Sequence, residues 1–95
     1  MYDLPIGPQR IIDMMIELEE VVGWYDLGLR LNVPSHILET IQLDHQKTED
    51  RKIALFDWWL RNNGEKGRKW SVIVYALAKS GYRYLAEKIG MKYGK

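Results

Sequence analysis

The chain has 95 residues, of which 46% are hydrophobic and 28% charged, a balance typical of a folded globular domain. It contains no cysteine, which excludes disulfides, thiol nucleophiles and thiolate metal sites. No apolar run approaches the roughly 18 residues of a membrane span, and the net charge of +1 excludes a whole-domain basic field. With no signal-peptide pattern at the N-terminus, these features predict a cytoplasmic protein.

The charges are divided unevenly along the chain. Residues 1–50 carry ten acidic and three basic side chains, a net charge of −7, whereas residues 51–95 carry eleven basic and three acidic ones, a net charge of +8. If the two halves lie on different faces, copies of the chain attract one another head to tail. The alternative is two solvated faces with no role in association.

The hydrophobic periodicity is helical throughout. A first helix is predicted from apolar side chains at spacings of three and four residues: Ile11, Met15, Leu18 and Val22. Gly23 interrupts this pattern, and the apolar stripe resumes after it at Trp24, Leu27 and Leu31. The first helix is therefore predicted to be kinked or split.

The middle of the chain predicts two further helices. One starts near Pro34, or is capped by Ser35, and buries Leu38 and Ile41. The polar stretch 44–48 after it suits a loop or a single helical turn. The next, which Thr48 could cap, runs from about Glu49 to Asn62 and has a predicted apolar face of Ile53, Phe56, Trp59 and Leu60. The pair Asn63-Gly64 ends it.

The C-terminal third predicts a fifth helix over about 70–79 and a sixth over about 82–91. Short amphipathic helices must bury their apolar stripes against one another, so the predicted fold is an all-α, six-helix antiparallel bundle. Trp24, Trp59 and Trp70 recur at helical spacing with aliphatic partners and are predicted to lie in its core.

Several apolar motifs, in this order and with these gaps, resemble the death-domain family. Two motifs resemble the first two helices of the family: Trp24-x-x-Leu27-Gly28-x-x-Leu31 and, after it, Leu38-x-x-Ile41. A third, Phe56-x-x-Trp59-Leu60, resembles the fourth helix of the family. The last two helices are resembled by Trp70-x-x-Ile73-x-x-Ala76-Leu77 and Gly81-Tyr82-x-x-Leu85-Ala86-x-x-Ile89. The likeness covers residues 11–89 of a single death domain predicted over residues 1–95.

The resemblance implies a Greek-key arrangement of helices and a module that binds other death domains, either copies of itself or different ones. Family members use three kinds of asymmetric surface to build oligomeric signalling assemblies in apoptosis or innate immunity. The resemblance implies no enzymatic activity, no cofactor and no small-molecule substrate.

Two charged patches are candidate interaction surfaces. The basic patch consists of Arg61, Lys66, Arg68 and Lys69, which with Glu65 carry a local charge of +3. It is either a contact for an acidic partner or a solvated loop. The acidic patch consists of Glu39, Asp44, Glu49 and Asp50, some of which could simply favour the start of a helix.

Three further candidate residues are Tyr82, Arg83 and Trp58. Tyr82 and Arg83 lie at the corner between the fifth and sixth helices, where the resemblance implies a contact, although Tyr82 could equally be half-buried. Trp58 either packs on Ile53 or Leu55 or is an exposed anchor for a partner, since tryptophan is enriched at interaction hot spots.

An alternative function is a small helical nucleic-acid-binding domain that uses the basic segment 61–69, although four cations are few for that purpose. The two histidines, His36 and His45, have no metal-ligand spacing, and no catalytic constellation is present. The sequence therefore favours a protein-interaction module over a nucleic-acid binder and over an enzyme.

Overall fold

The computed structural model describes residues 6–7, 10–64 and 66–93. The secondary-structure elements in these ranges are six α-helices: α1 (Ile11–Glu17), α2 (Trp24–Arg30), α3 (Ser35–Asp44), α4 (Thr48–Asn62), α5 (Trp70–Lys79) and α6 (Arg83–Tyr93). Their apolar faces meet in one shared core. The predicted all-α, six-helix bundle is confirmed.

The first predicted helix is split into α1 and α2, as the interruption at Gly23 indicated. The residues buried in this region are Met14, Leu18 and Val21, whereas Ile11 and Met15 are half-buried and Val22 is exposed. The predicted apolar stripe is therefore correct for Ile11, Met15 and Leu18, which lie in or against the core, and wrong for Val22. Because α1 ends at Glu17, helical spacing no longer carries Val22 onto the buried face.

The connection between α3 and α4 is a loop without a helical turn, so the sixth helix of the count comes from the split first helix. Thr48 is the first residue of α4 and provides no side-chain cap. Arg51 of α4 instead reaches back over the end of α3, where its Nε donates to the carbonyl of His45 at 2.7 Å and its Nη2 to that of Gln42 at 3.1 Å. A cation thus satisfies carbonyls that the end of α3 leaves without partners.

Trp24, Trp59 and Trp70 are all buried in the core, as predicted. Close packing beside Trp24 depends on Gly28 of α2. A Cβ atom on Gly28 would lie 2.6 Å from Cδ2 of Leu38 and 3.1 Å from Cδ1 of Leu55. Only glycine allows α2 to approach α3 and α4 this closely.

The buried face of α4 contains a lysine. Lys52 is 1% exposed, whereas Ile53, which the apolar pattern placed in the core, is 45% exposed. The Lys52 Nζ donates to the carbonyls of Leu18 at 2.8 Å and Glu19 at 3.3 Å, and it lies 3.2 Å from the carboxylate of Glu49. The prediction for Ile53 is wrong because the carbonyl oxygens that follow α1 require a donor from this side of α4.

Glu17 joins the end of α1 to the last turn of α6. Its carboxylate accepts hydrogen bonds from Lys92 Nζ at 2.6 Å and from Tyr93 Oη at 2.7 Å, and the Tyr93 ring stacks on Trp70 with centroids 4.2 Å apart. Burial acts to raise the pKa of Glu17, but the hydrogen bonds from Lys92 and Tyr93 outweigh it and lower this pKa below its ordinary value. Burial and the neighbouring carboxylate raise the pKa of Tyr93.

Glu17→Gln is expected to make the stability less sensitive to acid. Because the folded-state pKa of Glu17 is lowered, its carboxylate contributes stability above the unfolded pKa of about 4.3. That contribution is lost as pH falls through the lowered value. Thermal unfolding followed from neutral to acid pH should show a steeper fall in Tm for the parent than for Glu17→Gln.

The exposed Glu20 supplies a matched control, since none of the hydrogen bonds and ion pairs found among the described residues involves its side chain. Glu20→Gln should leave the parental acid dependence unchanged. Parallel pH dependences for the parent and Glu17→Gln would contradict the role assigned to Glu17.

Candidate functional site

Arg61, the first member of the basic patch, lies in the last turn of α4 and is exposed. Its Nε is 2.9 and 3.0 Å from the two carboxylate oxygens of Asp57, one helical turn earlier. This hydrogen bond and the accompanying charge attraction raise the pKa of Arg61. The positive charge of Arg61 is therefore largely offset by a neighbour on the same helix.

The other three members of the basic patch lie in the loop between α4 and α5. Arg68 holds the N-terminal segment, because its Nη1 donates to the carbonyl of Ile6 at 2.6 Å and its own carbonyl accepts from the Ile6 amide at 2.6 Å. Lys66 is exposed, and the half-buried Lys69 directly precedes α5. Glu65 lies outside the described residues. Lys66 and Lys69 are thus the cations of the patch with no ion pair or side-chain hydrogen bond among the described residues.

The acidic patch gathers around the corner between α3 and α4. Glu39 lies within α3, Asp44 is its last residue, and Glu49 and Asp50 lie in the first turn of α4. All four are exposed. Glu49 also contacts the buried Lys52, which leaves Glu39, Asp44 and Asp50 directed to solvent.

The two patches lie at opposite ends of α4. The acidic patch surrounds the beginning of α4, where Glu49 and Asp50 lie in its first turn, and the basic patch surrounds its end, where Arg61 lies in its last turn. At about 1.5 Å per residue, the two ends of this 15-residue helix are roughly 20 Å apart. These two patches of opposite charge are therefore separated in space.

The corner between α5 and α6 presents Arg83, which is exposed, and Tyr82, which is half-buried. The Tyr82 hydroxyl accepts hydrogen bonds from the amides of Gly23 at 3.0 Å and Val22 at 3.3 Å. Tyr82 thus joins this corner to the segment between α1 and α2. Its hydroxyl is occupied by a fold contact, and Arg83 is the exposed charge at the corner.

Trp58 is half-buried and packs against the core. This favours the packing alternative over an exposed anchor. Its neighbour Trp59 points fully into the core, as expected for adjacent helical residues, which lie about 100° apart around the helix.

The sequence interpretation missed exposed apolar surface on α1 and α6. Ile12 and Ile16 are exposed one turn apart on α1, and Met91 is exposed near the end of α6. Once the buried face of α1 is known to contain Met14, the helical period places Ile12 and Ile16 on the opposite side. The exposure of these two side chains can therefore be inferred from the sequence only when the buried face of α1 is known.

The described residues contain no group of histidine, aspartate or glutamate side chains placed to bind a metal ion. Among the same residues, no helix is long and apolar enough to cross a membrane. His36 is exposed on α3, and His45 is half-buried in the loop after it.

A family model for the death domain matches residues 9–92, which is most of the chain and extends from before α1 into the last turn of α6. The chain belongs to the death-domain family. Neither a curated protein nor a solved structure matches it significantly. Death domains are homotypic protein-interaction modules rather than enzymes. The surfaces of this death domain, rather than any pocket chemistry, are therefore where its function is to be sought.

Proposed function

We propose that this death domain associates with other death domains by joining the basic patch of one molecule to an acidic surface of another. In this function it assembles oligomeric signalling complexes in the cytoplasm, in apoptosis or innate immune signalling. The observation that supports this most directly is the placement of the acidic and basic patches at opposite ends of α4. Because the acidic and basic patches lie at opposite ends of α4, they cannot form ion pairs with each other within one molecule. Both therefore remain available to a second molecule.

The orientation of the patches also favours an open assembly. A contact between unlike surfaces leaves one patch free on each outer molecule, and repetition of that contact extends a chain instead of closing a dimer. Each contact can be weak, because an assembly multiplies it through many simultaneous contacts. Charge complementarity of this kind mainly determines partner choice and the rate of encounter.

The alternative of nucleic-acid binding by residues 61–69 gains no support from the geometry. The charge of Arg61 is offset by Asp57, and Arg68 is engaged with Ile6. The aromatic side chains nearest in sequence, Trp59 and Trp70, are buried, so neither ring is offered for stacking on bases. Two lysines alone are too few for the electrostatic binding that nucleic-acid-binding domains use.

The double variant Lys66→Glu/Lys69→Glu is expected to weaken association by at least about tenfold, since like charges would then face each other across the contact. A glutamate at position 69 precedes the first turn of α5 and favours the helix dipole, so folding should be preserved. Sedimentation velocity over a range of protein concentrations measures the loss. Arg30→Glu on α2 is a control that adds an acid outside both patches.

A charge exchange tests the pairing itself. Glu39→Lys/Asp44→Lys on α3 should by itself weaken association to a similar extent, and a lysine at the end of α3 suits the helix dipole. Mixing this variant with Lys66→Glu/Lys69→Glu should restore association, because unlike surfaces then meet again. If both variants are folded but their mixture does not associate, the pairing is refuted. The pairing is also refuted if each variant alone associates as strongly as the parent.

A further inference from the structure

We propose that this death domain has a second self-association surface, a groove between α5 and α6 that receives the outer face of α1 from another copy of the chain. This surface is separate from the charged patches above. The groove is apolar at its base, and the face of α1 is apolar at its centre. Both have charged surroundings of opposite sign.

The groove runs along the outer surface of the hairpin that α5 and α6 form. The two helices are antiparallel: Val74 and Ala78 of α5 line the groove with Gly90 and Ala86 of α6. Its volume is about 510 Å³, and Arg83, Glu87 and the exposed Met91 complete its lining. This volume is within the range of sites that bury apolar groups of a ligand or partner.

The presence of a glycine, Gly90, at the base of the groove distinguishes it from an ordinary surface depression. A glycine inside a helix costs stability relative to alanine. Packing does not require it here, because a Cβ atom on Gly90 would meet Val74 at 3.8 and 4.0 Å, which is ordinary van der Waals contact. What the missing side chain does provide is depth at the base of the groove.

The outer face of α1 has the matching shape. Ile12 and Ile16 lie one turn apart and are 68% and 64% exposed. Two branched apolar side chains at this spacing form the kind of ridge that an amphipathic helix inserts into an apolar groove. A partner that covered both would remove their apolar surface from water, which favours association.

The charges around the two surfaces are complementary. Residues 10–20 carry four acidic side chains and one basic one, a net charge of −3, whereas residues 70–93 carry four basic and one acidic, a net charge of +3. The Glu17–Lys92 pair is internal to one molecule. Without these two charges, the net charge is −2 around the face of α1 and +2 around the groove. This complementarity identifies the partner as a second copy of the chain.

The distribution of charge also determines the orientation. Glu19 and Glu20 follow Ile16 at the end of α1, and both are exposed. Lys79 and Arg83 flank the turn between α5 and α6, at one end of the groove. The end of α1 therefore points to that turn, with the two isoleucines over Val74, Ala78 and Gly90.

The test uses the double variant Lys66→Glu/Lys69→Glu as its background, so that the basic patch does not contribute to association. Sedimentation velocity in this background should show an average mass that rises with concentration. Ile12→Lys/Ile16→Lys should abolish this rise by placing charge on the α1 face. Gly90→Leu should abolish it by filling the groove, while its Tm stays at or above that of the background.

A mixture of the two blocked variants provides the decisive measurement. The α1 variant retains an open groove and the Gly90 variant retains the α1 face, so together they should form a one-to-one dimer and nothing larger. Val22→Lys, which changes an exposed apolar residue elsewhere, should associate like the background. A mass independent of concentration in the background, association unaffected by either block, or a mixture that stays monomeric would each overturn the groove contact. None of these results bears on the patch pairing, because every protein in this series carries the same two substitutions in the basic patch.

Discussion

Replacing Trp59 by alanine is expected to lower the free energy of unfolding by about 3–5 kcal/mol, whereas the same change at Trp58 should cost roughly 1–2 kcal/mol. Trp59 lies in the second half of α4 and is fully buried, so its loss removes apolar contacts and leaves a large cavity. Trp58 is half-buried at the margin of the core, where water can occupy the space. A loss of about 3–5 kcal/mol is a large fraction of the stability of a small domain.

Urea unfolding followed by circular dichroism measures both losses without relying on tryptophan fluorescence, which either substitution would change. The midpoint should move to lower urea concentration with little change in slope, provided that the folded state keeps its compactness. Equal losses for the two variants would contradict the orientation of α4, because adjacent positions on a helix cannot share one face equally.

Lys52→Met is expected to destabilise the domain by about 2–4 kcal/mol, since hydrogen bonds from a charged donor to buried acceptors are among the stronger ones. Methionine replaces the apolar stem but leaves the carbonyls of Leu18 and Glu19 without their donor. Ile53→Ala at the next position should cost less than about 1 kcal/mol, because this side chain is largely exposed. Chemical unfolding of the two variants compares them directly.

Lys47→Met serves as the control for loss of a lysine charge, since Lys47 is exposed in the loop before α4. It should change stability by no more than about 0.5 kcal/mol. A Lys52→Met variant as stable as the parent would mean that desolvation of the buried ammonium cancels the hydrogen bonds it donates, as occurs in some buried ion pairs.

The tryptophans illustrate what the sequence could predict. Apolar patterns of helical period contain each of three tryptophans, Trp24, Trp59 and Trp70. A large aromatic side chain on the apolar face of a helix is expected to be buried in the core. The helical ends at Asn63-Gly64 and Ser80-Gly81 were also readable, because local turn chemistry determines them. Gly81 has a φ of 92°, a conformation that favours glycine.

The α1 region illustrates where local patterns fail. Ile11, Met14, Met15 and Leu18 form one apolar stripe, but Val22, which the same period would add to it, is exposed. This departure depends on where α1 ends and on how Tyr82 holds the amides of Val22 and Gly23. That contact joins residues about 60 positions apart, which periodicity within a short segment cannot detect.

Some features of the candidate surfaces could likewise be predicted from the sequence, and others arise only from the tertiary structure. The residue types of the basic and acidic patches were visible in the sequence, and so was the asymmetry of charge. The engagement of Arg61 by Asp57 is local, one turn along a helix, and could have been anticipated. The engagement of Arg68 by Ile6 and the depth of the groove at Gly90 arise from parts of the chain that meet only on folding.

The sequence by itself determined the class of the fold, the order of its helices and the family, because these follow from apolar period and turn residues that act over a few positions. The tertiary structure alone decided the exposure of Val22, the burial of Lys52 and the engagement of Arg68 by Ile6. These depend on which backbone carbonyls, amides and side chains are brought together from distant segments. Hydrogen bonds and close packing between such segments are properties of the assembled bundle and have no counterpart in any single stretch of the chain.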